Sequence, residues 1–208
     1  MYKSRPMLPL RLVTVEEQLA LHLADGRAPV FEGTGQDGRV KLGRKMTEAA
    51  LRGRTSGRII ELGCGSGDIS GFFAKSCNVL GIDIVLAAKE ACAKRWPDME
   101  FQLRSIESTS PRECDVLILT EILEHLAEPL KIVEAWLPLA KTAVIGHPLC
   151  PPDKEVEHGH CWSYDYNDWT NWFKLGGHTR IFGCVFPMSV YDDMIIGWSM
   201  RESPRETT

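Results

Sequence analysis

Chemistry in this chain starts at Glu61-Leu62-Gly63-Cys64-Gly65-Ser66-Gly67, which follows the apolar run Arg58-Ile59-Ile60 and precedes Asp68-Ile69-Ser70-Gly71-Phe72-Phe73-Ala74. Strand, glycine turn and helix in this order build a nucleotide-type cofactor site. Glycine lets the backbone approach a ligand, and the N–H groups that open the helix receive its polar groups. Spacing narrows the ligand. A dinucleotide fingerprint, G-x-G-x-x-G, counted from Gly63 or Gly65 requires glycine where Asp68 or Ser70 stands. No Gly-Lys-Ser/Thr follows, so the P-loop pattern also fails. Asp83 lies twenty residues after Gly63 and ends the run Val79-Leu80-Gly81-Ile82-Asp83. A carboxylate beyond a strand end can accept both hydroxyls of a ribose in charge-assisted bonds.

The pattern E-x-G-x-G-x-G over Glu61–Gly67 resembles motif I of the class I S-adenosylmethionine-dependent methyltransferases, and Asp83 resembles that family's acidic ribose-binding motif. A third segment, Cys114-Asp115-Val116-Leu117-Ile118-Leu119-Thr120-Glu121-Ile122-Leu123-Glu124-His125-Leu126-Ala127-Glu128-Pro129, is similar to the family's fourth-strand motif, a hydrophobic run leading into E-x-L-E-H-L-x-x-P. The resemblance implies S-adenosylmethionine as cofactor. It places Glu61, Gly63, Cys64, Gly65 and Gly67 at the glycine loop, Asp83 on the ribose and Ile84 on the adenine. Thr120 and Glu121 would stand beside the sulfonium and methionine moiety. Where the family usually carries Asp and a hydrophobe at the adenine, this chain has Ser105-Ile106, with Glu107 as a substitute acid. The implied fold is α/β and Rossmann-like. It is a mostly parallel seven-stranded sheet with helices on both faces and an antiparallel C-terminal strand pair.

Methyl transfer from a sulfonium is a direct displacement, and aligning nucleophile, methyl carbon and sulfur supplies much of the rate. A general base is needed only where the acceptor must lose a proton. His125, His147 and His160 are the candidates, because imidazole titrates near neutrality. Glu121, Glu124, His125 and His160 also resemble, distantly, the metal site of small-RNA 3′-end 2′-O-methyltransferases. The motif E-x-L-E-H-L is widespread in methyltransferases that use no metal, so the expectation is a site without one. No [N/D/S]-P-P-[Y/F/W] motif and no Pro-Cys nucleophile follows the fourth strand, which disfavours base-methylating classes. A small-molecule acceptor is therefore expected. The alternatives are a nucleic-acid ribose 2′-O acceptor and a protein that binds the cofactor without transferring the methyl group. Trp169, Trp172 and Phe173, at i, i+3 and i+4, read as the buried stripe of a helix, whereas Trp162 and Tyr164 could wall a pocket.

Alternating periods position these residues. Strands are expected over 58–62, 78–83, 99–104, 114–120, 141–147, 179–186 and 193–200. Helices are expected over 14–24, 42–53, 68–76, 85–95, 129–140 and 165–175. Residues 1–45 form an N-terminal segment suited to a lid, 46–200 the methyltransferase domain and 201–208 a tail. A net charge of −4 argues against a broad nucleic-acid surface. A local exception is the segment from Arg39 to Arg58, where seven cations face only Glu48: a solvated helix face or a patch for an acidic substrate. Seven cysteines with no C-x-x-C pair indicate reduced thiols and a cytoplasmic location. No apolar run approaches the length of a membrane span, so no membrane partner is expected. The sequence does not indicate an oligomeric state.

Overall fold

The computed structural model describes residues 8–9, 38–149, 160–186 and 193–201. Its centre is a seven-stranded sheet in the order β4-β3-β2-β5-β6-β9-β8. The strands are β2 (Arg58–Leu62), β3 (Asn78–Asp83), β4 (Glu100–Leu103), β5 (Cys114–Thr120), β6 (Ala140–Pro148), β8 (Arg180–Phe186) and β9 (Met194–Met200). β4 through β6 run parallel, and β9 pairs antiparallel with both β6 and β8. This is the expected Rossmann-like sheet with its antiparallel closing pair. A short pair lies apart from it, with β1 (Leu8–Pro9) antiparallel to β7 (Trp162–Ser163).

The central strands are near-continuous apolar runs because both faces are covered. On one face Ile60, Leu62, Leu117 and Leu119 pack with Val133 and Trp136 of α3 (Pro129–Trp136) and with Trp169, Trp172 and Phe173 of α4 (Tyr166–Leu175). On the other, Ile59, Val116 and Ile118 pack with Ala50 and Leu51 of α1 (Gly38–Leu51) and Cys92 of α2 (Leu86–Arg95). Asp165 caps α4 by accepting from the Asn167 and Asp168 amides, and Asp168 returns a bond to the Asp165 amide. The aromatic stripe of α4 is thus core.

Three expectations change. The helix expected over 68–76 is a single 3₁₀ turn, Ser70–Phe73. A Cβ on Gly71 would sit 2.4 Å from the Trp96 indole, so the chain passes too close to α2 for a regular side-chain-bearing helix. The helix over 129–140 stops at Trp136 and continues as the 3₁₀ turn Leu137–Leu139, because Pro138 donates no hydrogen bond. Helix α1 starts at Gly38, so the expected boundary between 45 and 46 falls inside it. The helix expected over 14–24 lies outside the described residues, as does the lid segment apart from Leu8–Pro9 and the start of α1.

Candidate functional site

The glycine loop leaves β2 at its C-terminal end and is tied at once to β3, because the amides of Gly63 and Cys64 both donate to the Ile82 carbonyl, at 2.8 and 3.2 Å. Gly63, Gly65 and Gly67 have φ of +69°, +50° and +76°, a region that side chains rarely adopt. At Gly63 the packing is equally restrictive, since a Cβ there would meet Ile122 at 2.6 Å. A Cβ on Gly65 would meet nothing within 4 Å, so the loop backbone is approachable there. Asp83, at the end of β3, fixes this approachable point. Its carboxylate accepts from the Gly65 amide at 2.8 Å and from the Val85 amide at 3.0 Å. Each oxygen keeps a further lone pair for a ligand hydroxyl. The donor set and the open backbone beside it fit the ribose of S-adenosylmethionine.

Glu61 lies beneath the loop, almost wholly buried, and accepts from the Ser70 amide at 3.1 Å. Burial drives its pKa up to about 7, against the pull of the Ser70 hydrogen bonds and with help from the negative charges of Asp68 and Asp83. Cys64 lies within the loop and is buried. Its side chain packs in the core, where a Cβ on Gly81 would meet its sulfur at 2.6 Å, and its thiol donates to the Gly65 carbonyl at 3.6 Å. Burial, with the charges of Glu61 and Asp83, holds that thiol well above its ordinary pKa. Ile84 is half-buried just past β3. Ser105 donates to the Glu107 carboxylate and accepts from the Glu107 amide, so serine and acid form one small turn after β4. Ile106 is buried in the core beside them.

Thr120 ends β5, and Glu121 follows with φ of +53°, a left-handed conformation costly for a residue with a Cβ. The Glu121 amide donates to the Gly146 carbonyl at 3.0 Å, and its carboxylate stands 3.5 Å from Arg39 at the start of α1. The 3₁₀ turn Leu123–His125 comes next. Segment 160–164 is fastened across this turn. The Cys161 amide donates to the Glu124 carbonyl at 2.7 Å, Trp162 Nε1 to Leu126 O at 2.8 Å, and the Tyr164 hydroxyl to Leu123 O at 3.0 Å. The fastening brings His160 against His125, with ring centroids 4.6 Å apart and the planes nearly perpendicular. Trp162 and Tyr164 therefore position this segment.

His147 does not join them. It is fully buried between Tyr164 and Trp172, and its Nδ1 lies 2.7 Å from Pro148 O. Burial drives its pKa down to about 4, against the Pro148 hydrogen bond. The sequence placed it correctly at the end of β6 but could not show the aromatic cage around it. Sequence reading also missed Arg39 as the partner of Glu121 and Ile122 as the floor of Gly63, since both contacts join segments with no local signal. The basic segment is mostly exposed, and several of its cations are paired at the surface. Arg54 pairs with Asp115 at 2.9 Å, Arg58 bonds to Glu113 O, and Arg44 bonds to Asp68 O while stacking on Phe72 and Trp96.

A glycine cradle at the C-terminal ends of parallel strands, an acid at the end of the neighbouring strand and an antiparallel closing pair together define the class I S-adenosylmethionine-dependent methyltransferase fold. A family model described as a methyltransferase domain matches residues 36–179. The chain belongs to that family, whose cofactor is S-adenosylmethionine. It is similar to the ubiquinone biosynthesis O-methyltransferase of Paracidovorax citrulli, 32% identical over 102 residues, covering 45% of this chain and 42% of the relative. The enzyme of the same name from Methylococcus capsulatus is 32% identical over 104 residues, covering 46% and 43%. The match spans less than half the length of these curated relatives. Among solved structures, N-methyltransferase NodS from Bradyrhizobium japonicum WM9, in complex with S-adenosyl-L-homocysteine, superposes with a TM-score of 0.68 at 16% identity, covering 90% of this chain and 98% of that one. Magnesium protoporphyrin IX methyltransferase from Synechocystis PCC 6803, with bound S-adenosylmethionine, gives 0.68 at 14% identity, covering 91% and 99%. These structural likenesses show the fold.

Proposed function

We propose that this chain transfers the methyl group of S-adenosylmethionine to a hydroxyl oxygen of a small-molecule acceptor. The observation that carries the reading is the pairing of His125 and His160, 4.6 Å between ring centroids, directly after the strand end that carries Thr120 and Glu121. A hydroxyl is a poor nucleophile until it loses its proton, and this is where the chain gathers groups able to draw one off. His147 is enclosed and has the character of a packing residue. The names of the curated relatives, both O-methyltransferases of ubiquinone biosynthesis, support an oxygen acceptor of small-molecule type. The pairing of Arg54 with Asp115 and the bonds of Arg58 to Glu113 O and Arg44 to Asp68 O, with a net charge of −4, weigh against a broad basic surface for nucleic acid.

The bound cofactor supplies a methyl group on a good leaving group. The chain's own residues do the rest. Asp83 and the loop amides hold the ribose end, with Ser105, Ile106 and Glu107 beside the adenine. Glu61 offers a buried carboxylate near the cofactor's cationic end. Thr120 and Glu121 border the reacting carbon, and the His125–His160 pair faces the incoming hydroxyl. Tritiated-methyl transfer should label hydroxylated small molecules in a metabolite extract and leave RNA and DNA fractions unlabelled. Label confined to nucleic acid would overturn the acceptor class. Cofactor binding with no labelled product in any fraction would point to a binding protein without transferase activity.

A further inference from the structure

The glycine loop is held on both sides of its open backbone. On one side Asp83 takes the Gly65 amide. On the other stands Asp68, almost fully buried, at a position where a dinucleotide loop would carry glycine. Its carboxylate accepts from the Ser66 hydroxyl at 2.8 Å and meets Arg95, the last residue of α2, at 2.6 Å. Its backbone carbonyl accepts from Nε of Arg44, on α1, at 2.8 Å. Both guanidinium groups lie over Trp96, Arg44 at 5.7 Å and Arg95 at 5.4 Å from the ring centroid. We propose that Asp68, gripped by Arg44 and Arg95, is a positioning residue for the cofactor: it fixes the loop from Ser66 to Gly67 and sets the charge that Glu61 meets beneath it. The proposal rests on S-adenosylmethionine as cofactor and not on the identity of the acceptor.

A loop with left-handed glycines at 63, 65 and 67 has many conformations to lose when a ligand fixes it. Contacts that fix it beforehand lower that cost and leave more of the binding energy to the cofactor. Packing supplies part of the restraint. Added Cβ atoms on Gly67 and Gly71 would stand 3.2 and 2.4 Å from the Trp96 indole, so the loop cannot sink towards α2. Asp68 supplies the rest, because the three groups bonded to it come from the loop itself, from α1 and from α2. Without those bonds Ser66 and the amides on either side of it are free to turn away from the ligand.

The cluster also carries a charge balance. Burial lowers the Arg44 pKa, the Asp68 charge opposes that shift and the Arg95 charge adds to it, so the two arginines share one carboxylate residue. Two arginines beside the loop repel a ligand that bears a sulfonium and an ammonium group, and the Asp68 carboxylate reduces that repulsion. Asp68 acts on Glu61 as well. Burial is the main cause of the raised Glu61 pKa, the Ser70 hydrogen bonds pull it back, and the charges of Asp68 and Asp83 push it further up. Burial keeps the neighbouring Cys64 and Cys92 thiols protonated, so Asp68 and Asp83 are the charges that Glu61 meets. The state of Asp68 therefore shifts the pH at which Glu61 ionises and the cationic cofactor gains affinity.

Calorimetric titration of S-adenosylmethionine across neutral pH tests both roles. Asp68→Asn keeps the shape and removes the charge. It should weaken binding by about tenfold, because charge-assisted bonds become neutral ones. It should also move the rise of affinity with pH to lower pH, since Glu61 then ionises more readily. Arg95→Met keeps an apolar stem on Trp96 and removes the cation. Affinity should fall by a similar factor, but the rise should move to higher pH, because the Asp68 charge is less balanced. Arg95→Lys should return the pH profile to that of wild type and recover part of the affinity, since it keeps the charge and loses the planar fork. Wild-type affinity in both Asp68→Asn and Arg95→Met would overturn the proposal. So would a loss of affinity in both with the pH profile unmoved, which is the behaviour of a scaffold alone. Arg95 reaches the surface, so its two variants decide should Asp68→Asn fail to fold by circular dichroism. A wild-type protein that binds no S-adenosylmethionine would overturn the proposal together with the functional reading, whereas failure in the variants alone leaves that reading standing.

Discussion

At the N-terminal end of the parallel strands, Asp115 accepts from the Arg58 amide at 2.8 Å and meets Arg54 at 2.9 Å and Lys141 at 2.8 Å. Burial pushes its pKa up, but the Lys141 hydrogen bond, the Arg58 amide and the charges of Lys141 and Arg54 outweigh it, and the net pKa is lowered. At the C-terminal end of the neighbouring strand, Glu61 has one backbone donor and no cation among its perturbing charges, and its pKa rises to about 7. The glycines differ in the same way. Gly53, just past α1 and beside Arg54, has φ of +75° with nothing within 4 Å of an added Cβ, whereas Gly63 has φ of +69° with Ile122 at 2.6 Å. One end of the sheet is satisfied by the protein itself. The other holds strain, buried charge and open backbone, features that a bound cofactor can relieve or use.

The largest effect should come from the glycines. Gly63→Ala adds a steric overlap to the left-handed penalty and should abolish measurable S-adenosylmethionine binding and lower the melting temperature. Gly53→Ala should carry only the backbone cost, about 1 kcal/mol, and leave binding unchanged. Equal effects on binding from the two variants would erase the contrast between the ends. Next in size is the pH response. Glu61 has a raised pKa when folded, so its contribution to stability is fully present below about 4.5 and is lost as pH rises through about 7. The cofactor carries a sulfonium and an ammonium group, so its binding should favour ionised Glu61 and release a proton near neutrality. Calorimetry in buffers of different ionisation enthalpy should detect that release, and Glu61→Gln should remove it. Asp115 has the opposite sign. Its lowered pKa gives stability that is present above its unfolded value and is lost as pH falls through the folded one. The smallest effect should be that of Asp115→Asn, about 1 kcal/mol or less at neutral pH because its ion pairs reach solvent. A Glu61→Gln melt difference that does not change as pH rises from about 4.5 to about 7, or an Asp115→Asn difference that does not shrink as pH falls below about 4, would contradict the assignment.

Strands were the most legible part of the sequence. β2, β3 and β5 fall on the residues expected from their apolar runs, because a strand buried on both faces writes its whole length as hydrophobic residues. The glycine loop and Asp83 were legible for a related reason, since left-handed backbone and a strand-end carboxylate have few residue solutions. What stayed hidden depends on contacts between distant segments. The close approach of Gly71 to Trp96 shortens a helix to a 3₁₀ turn, the cage of Tyr164 and Trp172 removes His147 from the reacting groups, and Arg44, Arg54 and Arg58 find their partners in distant segments. Within the fourth-strand motif the sequence offered Glu121 and Glu124 as equals. The left-handed turn at Glu121 and its pairing with Arg39 separate them, a difference that residue spacing does not encode.

The central claim is that the C-terminal end of the sheet, through Asp83 and the Gly65 amide it holds at 2.8 Å, binds the ribose of S-adenosylmethionine. Calorimetric titration of the cofactor into the wild-type protein, Asp83→Ala and Asp115→Ala tests it directly. The account predicts that Asp83→Ala weakens binding by about tenfold or more, roughly 1.4 kcal/mol, as loss of a charge-assisted pair requires. Asp115→Ala should bind as wild type does. Undiminished affinity in Asp83→Ala, or an equal loss in Asp115→Ala, would contradict it.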